Sequence, residues 1–253
     1  MIRIILSGCS GAMGKVVSCC AAERSDMDLV AGIDHRADPE LPYPLYSSPD
    51  KVERKADVLI DFSHPTLLHS LLEFGKKTQT PLVLCTTGYD KEQIQALETA
   101  AREIPIFYSR NMSLGINLLI ELARKAESVL GTGFDVEIVE AHHNQKIDAP
   151  SGTALMIADA VADVSEGQMN YMYDRHSRRK KRAGNEIGIH SIRGGTIVGE
   201  HKVIFAGPHE ILTISHSAQS REIFAHGALN AAVFLSRKGK GLYSMADLIR
   251  QED

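Results

Sequence analysis

The sequence predicts an α/β protein with two domains: a parallel sheet flanked by helices, and a mixed α+β second domain. Strand-like and helix-like segments alternate over the first 110 residues, as they do where helices cover both faces of a parallel sheet. Near the end of the chain, two strand-like runs follow one another with no helix between them, which indicates an antiparallel or mixed sheet. The length of 253 residues suits two modest domains of about 150 residues or fewer.

The first predicted domain alternates short apolar runs, which suit strands, with segments that suit helices. Its predicted strands are 2–6, 29–33, 58–62, 82–85 and 106–108, and its predicted helices are 15–24, 65–77 and 90–102. Pro65 suits the first turn of a helix, and Asp90 suits a helix cap. Four prolines fall between positions 39 and 49, so we predict an irregular surface loop over 37–50.

The second predicted domain begins with a long amphipathic helix. Its predicted helices are 114–130 and 151–164, and its predicted strands are 136–141, 197–205 and 210–216. A last helix over 221–235 is expected to return to the first domain. Residues 1–112 and 221–253 are therefore predicted to form one domain, and residues 113–220 the other.

Composition excludes several classes of function. The net charge of -4 argues against a nucleic-acid partner, because such binding requires a basic surface. No apolar run approaches 18 residues, so no membrane span is predicted. Four cysteines without metal-finger spacing, Cys9, Cys19, Cys20 and Cys85, suggest neither a disulfide framework nor a structural metal, and a reducing cytoplasm is expected.

A glycine-rich turn lies between the first predicted strand and the first predicted helix. Gly8, Gly11 and Gly14 are spaced three apart there. Glycines at this place permit a tight turn and let the backbone approach a pyrophosphate at the helix N-terminus. The motif predicts a dinucleotide site, and the alternative is a tight turn that binds no ligand.

The cofactor prediction continues at the end of the second predicted strand. Asp34 lies 20 residues after Gly14, where a carboxylate accepts hydrogen bonds from the adenine ribose. A carboxylate also repels a 2′-phosphate, so NADH is favoured. His35 and Arg36 follow directly and can bind that phosphate, so NADPH is expected to be tolerated.

Two polar loops follow later strands of the same predicted sheet. Cys85-Thr86-Thr87-Gly88 follows the fourth strand, and Ser109-Arg110-Asn111-Met112 follows the fifth. Ligands of open α/β sheets lie outside the carboxyl ends of the strands. Both loops are therefore predicted to line a nicotinamide site, although each alone is also typical of an ordinary polar connection.

The densest polar segment contains His142, His143 and Lys146. Histidine suits acid–base chemistry near pH 7. A nearby lysine lowers the pKa of a histidine and stabilises negative charge on a substrate. The alternative is an exposed histidine pair without a catalytic role.

A predicted helix start follows this segment. Ser151 suits the N-cap, which places the backbone N–H groups of Gly152 and Thr153 in the first turn. Such a turn binds a carboxylate. A proton donor, a cation and an anion-binding turn thus lie within twelve positions of the sequence.

Other interpretations of these polar residues remain open. The basic run 178–182 is interpreted as a solvated loop. Metal catalysis is not predicted, because the 11 histidines show no metal-binding spacing. Rival functions are another two-domain NAD(P)-dependent dehydrogenase, a non-catalytic NADH sensor and a metal-dependent hydrolase.

Together these motifs resemble the 4-hydroxy-tetrahydrodipicolinate reductase (dihydrodipicolinate reductase) family of bacterial lysine and diaminopimelate synthesis. The segment from Glu140 to Ala154 carries the most specific similarity. Supporting matches are Gly8 to Gly14, Asp61-Phe62-Ser63, Thr86-Thr87-Gly88, Asn111-Met112-Ser113 with Gly115 and Asn117, and Arg193-Gly194-Gly195 through His201.

The resemblance implies a Rossmann-type dinucleotide-binding domain, a substrate and oligomerisation domain, and a homotetramer. It implies NADH or NADPH as cofactor and a small cyclic dicarboxylate as substrate. It makes His142 the proton donor, Lys146 the second catalytic residue, and His143, Gly152 and Thr153 substrate contacts. The implied cofactor contacts are Gly8, Cys9, Ser10, Gly11, Ala12, Met13, Asp34, Cys85, Thr86, Thr87, Ser109, Arg110, Asn111 and Met112. His35, Cys85 and Arg110 depart from the usual family residues, and His35 stands where an arginine is frequent.

Overall fold

The structure is a computed structural model that describes residues 1–36, 38 and 40–250. It divides into two compact units. The first contains the chain up to Leu114 and again from Arg221 onward, and the second is Gly115–Ser220. The sequence placed these boundaries near 112 and 220.

Strands and helices alternate through most of the chain. The strands are β1 (Ile2–Ser7), β2 (Met27–Ile33), β3 (Leu45–Tyr46), β4 (Val58–Asp61), β5 (Leu82–Leu84), β6 (Pro105–Tyr108), β7 (Asp135–His142), β8 (Asn170–Met172), β9 (Glu186–Arg193), β10 (Gly199–Ala206), β11 (Ile211–Ala218) and β12 (Gly241–Tyr243). The α-helices are α1 (Ala12–Ala22), α2 (Leu68–Thr78), α3 (Lys91–Ala100), α4 (Leu114–Leu130), α5 (Gly152–Ala162), α6 (Glu222–Leu235) and α7 (Met245–Ile249). Short 3₁₀ turns span Pro49–Lys51, Pro65–Leu67 and Gly131–Gly133.

The first unit is built on a parallel sheet of order β12-β6-β5-β4-β1-β2-β3. Successive residues of β1 face opposite sides: Ile4 and Leu6 belong to the core that contains residues of α1 and α6, and Ile5 to the core that contains residues of α2 and α3. Burial on both faces requires apolar residues at consecutive positions, which β1 supplies over residues 4–6 and β4 over residues 58–60. From β1 the chain adds β2 and β3 on one side of the sheet and then β4, β5 and β6 on the other. Folds of this kind bind their ligands at that switch point, here between β1 and β4.

The second unit contains a mixed sheet of order β11-β10-β7-β9-β8. β7 pairs antiparallel with β10 and parallel with β9. One face of the sheet, with Val136, Ile138, Ile189 and Phe205, packs with α4 and α5 residues into a single core. The predicted fold class, a Rossmann-type α/β domain with a mixed α+β domain, is confirmed.

Several elements differ from the sequence prediction. β8, β9, β12 and α7 were not predicted. β9 is weakly patterned, because its second half carries His190, Ser191 and Arg193 and only Ile187 and Ile189 enter the core. Within the segment predicted as an irregular loop, the described residues form β3 and a 3₁₀ turn; Ala37 and Pro39 lie outside the described residues.

Candidate active site

The glycine turn after β1 is closely packed against its own unit. Gly8 has a φ of +78°, and a Cβ there would lie 2.5 Å from the carbonyl oxygen of Phe62. A Cβ on Gly14 would lie 2.2 Å from the carbonyl oxygen of Gly8. Neither position has room for a side chain, so both glycines are required for the turn itself.

The turn leads into a helix whose start suits a phosphate. α1 begins after Gly11 with no side-chain cap and no acidic residue in its first turn. A helix start of this kind presents backbone N–H groups and positive potential to an anion. The predicted contacts Ser10, Ala12 and Met13 lie in this segment.

Asp34 joins the end of β2 to the glycine turn. Its carboxylate accepts hydrogen bonds from the backbone N–H of Ser10 at 3.1 Å and of Arg36 at 3.0 Å. The Asp34 side chain is 8% exposed, whereas the His35 side chain is 80% exposed. The carboxylate is thus held in a fixed place beside the turn, and His35 is left accessible.

A buried carboxylate that was not predicted as a site residue organises the next loops. Asp61 ends β4 and accepts hydrogen bonds from the Ser63 hydroxyl at 2.5 Å and the Thr86 hydroxyl at 2.6 Å. Burial raises the pKa of Asp61, and these hydroxyls oppose the shift. Because Asp61 is fully buried, it fixes Ser63 and Thr86 relative to the sheet.

The predicted cofactor residues lie after β1, β2, β5 and β6, at the carboxyl edge of one sheet. Thr87 and Arg110 lie in the loops that follow β5 and β6, and Ser109 binds Asn111 within its loop. Cys9, Cys85 and Met112 instead have buried side chains in the apolar core, so any ligand contact by them uses the backbone. A glycine turn, an uncapped helix start and an acidic β2 end together fit a dinucleotide.

The second unit gathers its polar residues around Glu140 on β7. This carboxylate is fully buried and accepts a hydrogen bond from His142 Nδ1 at 2.6 Å. Both outer guanidinium nitrogens of Arg193, at the end of β9, donate to it at 2.8 Å. The backbone N–H of Ser151 donates to it at 3.1 Å. Burial alone would raise the pKa of Glu140, but hydrogen bonds from Arg193 first, then from Ser191, His142 and the Ser151 N–H, lower it to about 2.

Ser151 caps α5 as predicted. Its hydroxyl accepts from the backbone N–H of Ala154 and lies 3.2 Å from His201 Nε2. Gly152 is exposed, and no atom of the described residues lies within 4 Å of a Cβ added there. The first turn of α5 therefore opens to solvent at Gly152, while its cap residue is buried.

The cation and the helix start act on one carboxylate. Lys146 Nζ lies 2.9 Å from Asp148 Oδ1. The pKa of Asp148 is lowered, chiefly by its hydrogen bond from Lys146, with a smaller contribution from the backbone N–H of Gly152. A carboxylate of the chain thus already lies with Lys146, the predicted catalytic cation, and with Gly152, a predicted substrate contact.

His142 is nearly buried. Burial lowers its pKa, Glu140 opposes that shift, and Lys146 and Arg193 add to it. The predicted effect of Lys146 is present, but burial is the larger cause. His143 lies beside it at the start of the loop, and its backbone carbonyl accepts from the Lys146 N–H at 3.2 Å.

The residues missed at this site are Glu140, Arg193 and His201. Glu140 stood inside the polar segment, but its role depends on Arg193, which is 53 positions away. Only the pairing of β7 with β9 brings the two together, and β9 was not predicted. Among residues 1–36, 38 and 40–250, no group of three or more His, Cys, Asp or Glu is arranged to hold a metal. Over the same residues, no helix combines the length and apolarity needed to cross a bilayer.

The fold and the two groups of residues define a Rossmann-type oxidoreductase. Two family models match the chain: "Dihydrodipicolinate reductase, N-terminus" over residues 2–112 and "Dihydrodipicolinate reductase, C-terminus" over residues 115–249. The chain therefore belongs to the dihydrodipicolinate reductase family, and the resemblance read from its motifs is confirmed.

Individual relatives agree with the family models. A 4-hydroxy-tetrahydrodipicolinate reductase of Caldanaerobacter subterraneus subsp. tengcongensis is 54% identical over 251 residues, 99% of each chain. One of Clostridium novyi is 46% identical over 253 residues, 100% of each chain. A dipicolinate-bound dihydrodipicolinate reductase from Paenisporosarcina sp. TG-14 superposes with a TM-score of 0.82 at 27% identity, covering 96% of this chain and 97% of that one.

Proposed function

We propose that this chain reduces 4-hydroxy-tetrahydrodipicolinate to tetrahydrodipicolinate with NADH or NADPH, a step of lysine and diaminopimelate synthesis. In this reaction the substrate, NAD(P)H and a proton give the product, NAD(P)⁺ and water. Family membership supports the reaction. Within the chain, the observation that carries it is a carboxylate acted on by both Lys146 and the Gly152 N–H, in the loop that follows His142.

The first unit is proposed to hold the dinucleotide. The Gly8–Met13 turn and the start of α1 would bind the pyrophosphate, and Asp34 the adenine ribose. The loops 85–87 and 109–112 would line the nicotinamide, which in reduced form supplies hydride for ring C4 of the substrate. The buried Asp61 carboxylate supports a role for Thr86 at the nicotinamide, because it accepts a hydrogen bond from the Thr86 hydroxyl and holds that residue in place.

The second unit is proposed to hold the ring dicarboxylate. His143, Gly152 and Thr153 would bind its carboxylates. Asp148, which pairs with Lys146 in this structure, would release Lys146 to stabilise charge on the reacting ring. The Gly152 N–H would exchange the Asp148 carboxylate for one of the substrate's, so it keeps a hydrogen-bond acceptor.

His142 is the proposed proton donor. Once the 4-hydroxyl has left as water, C4 is conjugated with the ring imine, and addition at C4 moves negative charge toward nitrogen. His142 would protonate this charge while Lys146 stabilises it. Burial keeps the histidine pKa low in the free protein, and a bound dianion would raise it toward the working pH.

The proposed cofactor preference is NADH, with NADPH tolerated. The buried, fixed Asp34 carboxylate disfavours a 2′-phosphate, while exposed His35 and Arg36 are available to bind one. The ratio of kcat/KM for the two cofactors tests this proposal, and a strong preference for NADPH would contradict it. The proposed assembly is a homotetramer of 27.7 kDa chains, to be tested by light scattering on the eluting protein.

The experiment for the reaction is a coupled assay that supplies freshly made substrate and follows NADH oxidation. His142→Gln should lower kcat by about 10²–10⁴-fold and leave NADH affinity unchanged. His190→Gln is the matched control, because His190 also binds a glutamate of β7, Glu137, at 2.8 Å but has no proposed role in the reaction. A wild-type protein without substrate-dependent NADH oxidation would refute the function, and full kcat in His142→Gln would refute the role.

A further inference from the structure

We infer that Glu140, held by Arg193, is a positioning residue that makes Nε2 the proton-exchanging nitrogen of His142 and ties this orientation to the start of α5. The inference rests on the proposed function for the role of His142 as proton donor. The orientation itself can be measured without any turnover.

The first step concerns the hydrogen bonds of Glu140. Oε2 accepts from His142 Nδ1 and one Arg193 nitrogen, and Oε1 accepts from the other Arg193 nitrogen and the Ser151 N–H. The Ser191 side chain also contributes a hydrogen bond that lowers the pKa of Glu140. With a pKa of about 2, Glu140 is ionised at every pH where the protein would act. An ionised carboxylate only accepts hydrogen bonds.

The second step concerns the histidine tautomer. Because Glu140 only accepts, the hydrogen between it and His142 belongs to Nδ1. In neutral His142 the lone pair therefore lies on Nε2, and Nε2 is the atom that takes up and releases a proton. Gly199 on β10 leaves space there, since a Cβ at that position would lie 3.1 Å from Nε2.

The third step concerns the charges around His142. Glu140 is on the same strand, Arg193 comes from β9, Lys146 from the following loop, and the His201 ring from β10 at 5.2 Å between centroids. Of these, Glu140 raises the pKa of His142, while Lys146 and Arg193 lower it. Neutralising Glu140 would leave the lowering influences unopposed.

The fourth step concerns α5. The Ser151 N–H that binds Glu140 belongs to the residue whose hydroxyl caps the helix. One carboxylate thus fixes both the proposed proton donor and the helix start proposed to bind the substrate. A glutamine cannot replace it, because either orientation of the amide turns its NH₂ toward an Arg193 N–H donor.

The experiment combines pH profiles with nitrogen NMR. Glu140→Gln should lower kcat about tenfold or more at pH 8, and the limb on which kcat falls with rising pH should move to lower pH. Glu140→Asp keeps the charge and should keep that limb near its wild-type position. Glu137→Gln is the matched control: Glu137 is also on β7 and binds His190, Arg175 and Arg182, and its profile should match wild type.

Wild-type protein labelled with ¹⁵N-histidine supplies the readout that needs no Glu140 variant, with His142→Gln assigning the signal. Neutral His142 should carry its proton on Nδ1. A neutral tautomer protonated on Nε2 would overturn the inference, as would a Glu140→Gln profile identical to wild type or an equal shift in Glu137→Gln. If wild type fails to turn over the substrate, the proposed function fails, while the tautomer measurement still decides the orientation.

Discussion

Gly8→Ala tests whether close packing of the turn after β1 requires a glycine at position 8. The substitution has two costs that the structure specifies. A φ of +78° costs an alanine about 1–2 kcal/mol, because left-handed backbone brings Cβ close to the carbonyl oxygen. The new Cβ would also lie 2.5 Å from the Phe62 carbonyl oxygen, and relieving such overpacking costs about 1–3 kcal/mol.

The sum is about 2–5 kcal/mol, which lowers the melting temperature by at least about 4 °C. The melt should be followed by circular dichroism with and without NADH, and NADH affinity by titration of its fluorescence. We expect a lower melting temperature and weaker NADH binding, since relieving the contact moves the turn away from β4.

Gly167→Ala is the control for backbone strain alone. Gly167 has a φ of +87°, and a Cβ added there would have no atom within 4 Å in the part of the chain that the structure describes. It should lose only the strain of about 1–2 kcal/mol and bind NADH as wild type does. Equal melting temperatures for the Gly8 and Gly167 variants, with unchanged NADH affinity in both, would refute the packing argument.

Three further predictions concern stability and thiol reactivity. Burial lowers the pKa of His201 to about 3. Below pH 6.5, the ordinary pKa of histidine, the unfolded chain therefore binds a proton that the folded chain does not, and the free energy of unfolding should fall from pH 6.5 toward pH 3. His201→Gln should reduce that fall, as measured by urea titrations. Asp90→Ala removes a capping box with Gln93 at the start of α3 and should cost about 1 kcal/mol in the same titrations, whereas Asp90→Asn should cost little. Cys19 is exposed while Cys9, Cys20 and Cys85 are buried, so the native chain should show one fast thiol toward an aromatic disulfide reagent, and Cys19→Ser should abolish it; a second fast thiol would contradict the burial.

The parallel-sheet unit is largely predictable from sequence because its signals are local. The inner strands β4 and β5 appear as apolar runs, residues 58–60 and 82–84, in which every residue is buried. The glycine motif and Asp34 both fall within one continuous stretch of sequence, which runs from β1 through α1 to the end of β2. Asp61 escaped prediction as a site residue, since its importance comes from Thr86 on a neighbouring strand end.

The second unit is less predictable because its site is assembled by strand pairing. His142, Lys146 and Ser151 were identified from one continuous segment. Arg193 reaches Glu140 through the parallel register of β7 with β9, in which His142 lies opposite Arg193. Nothing within either segment specifies that register, since β9 has only a short apolar alternation.

This assembly changes how substitutions in β9 should be interpreted. Arg193 looks structural, because it ends a strand and binds a buried carboxylate and the Asp148 carbonyl oxygen. Yet the carboxylate it holds also accepts the hydrogen bond of His142 and the N–H of the α5 cap residue. Arg193→Lys keeps the charge but loses the bidentate contact with Glu140. It should therefore change the pH dependence of kcat clearly while lowering the melting temperature only slightly. A loss of stability with an unchanged pH profile would assign Arg193 to folding alone.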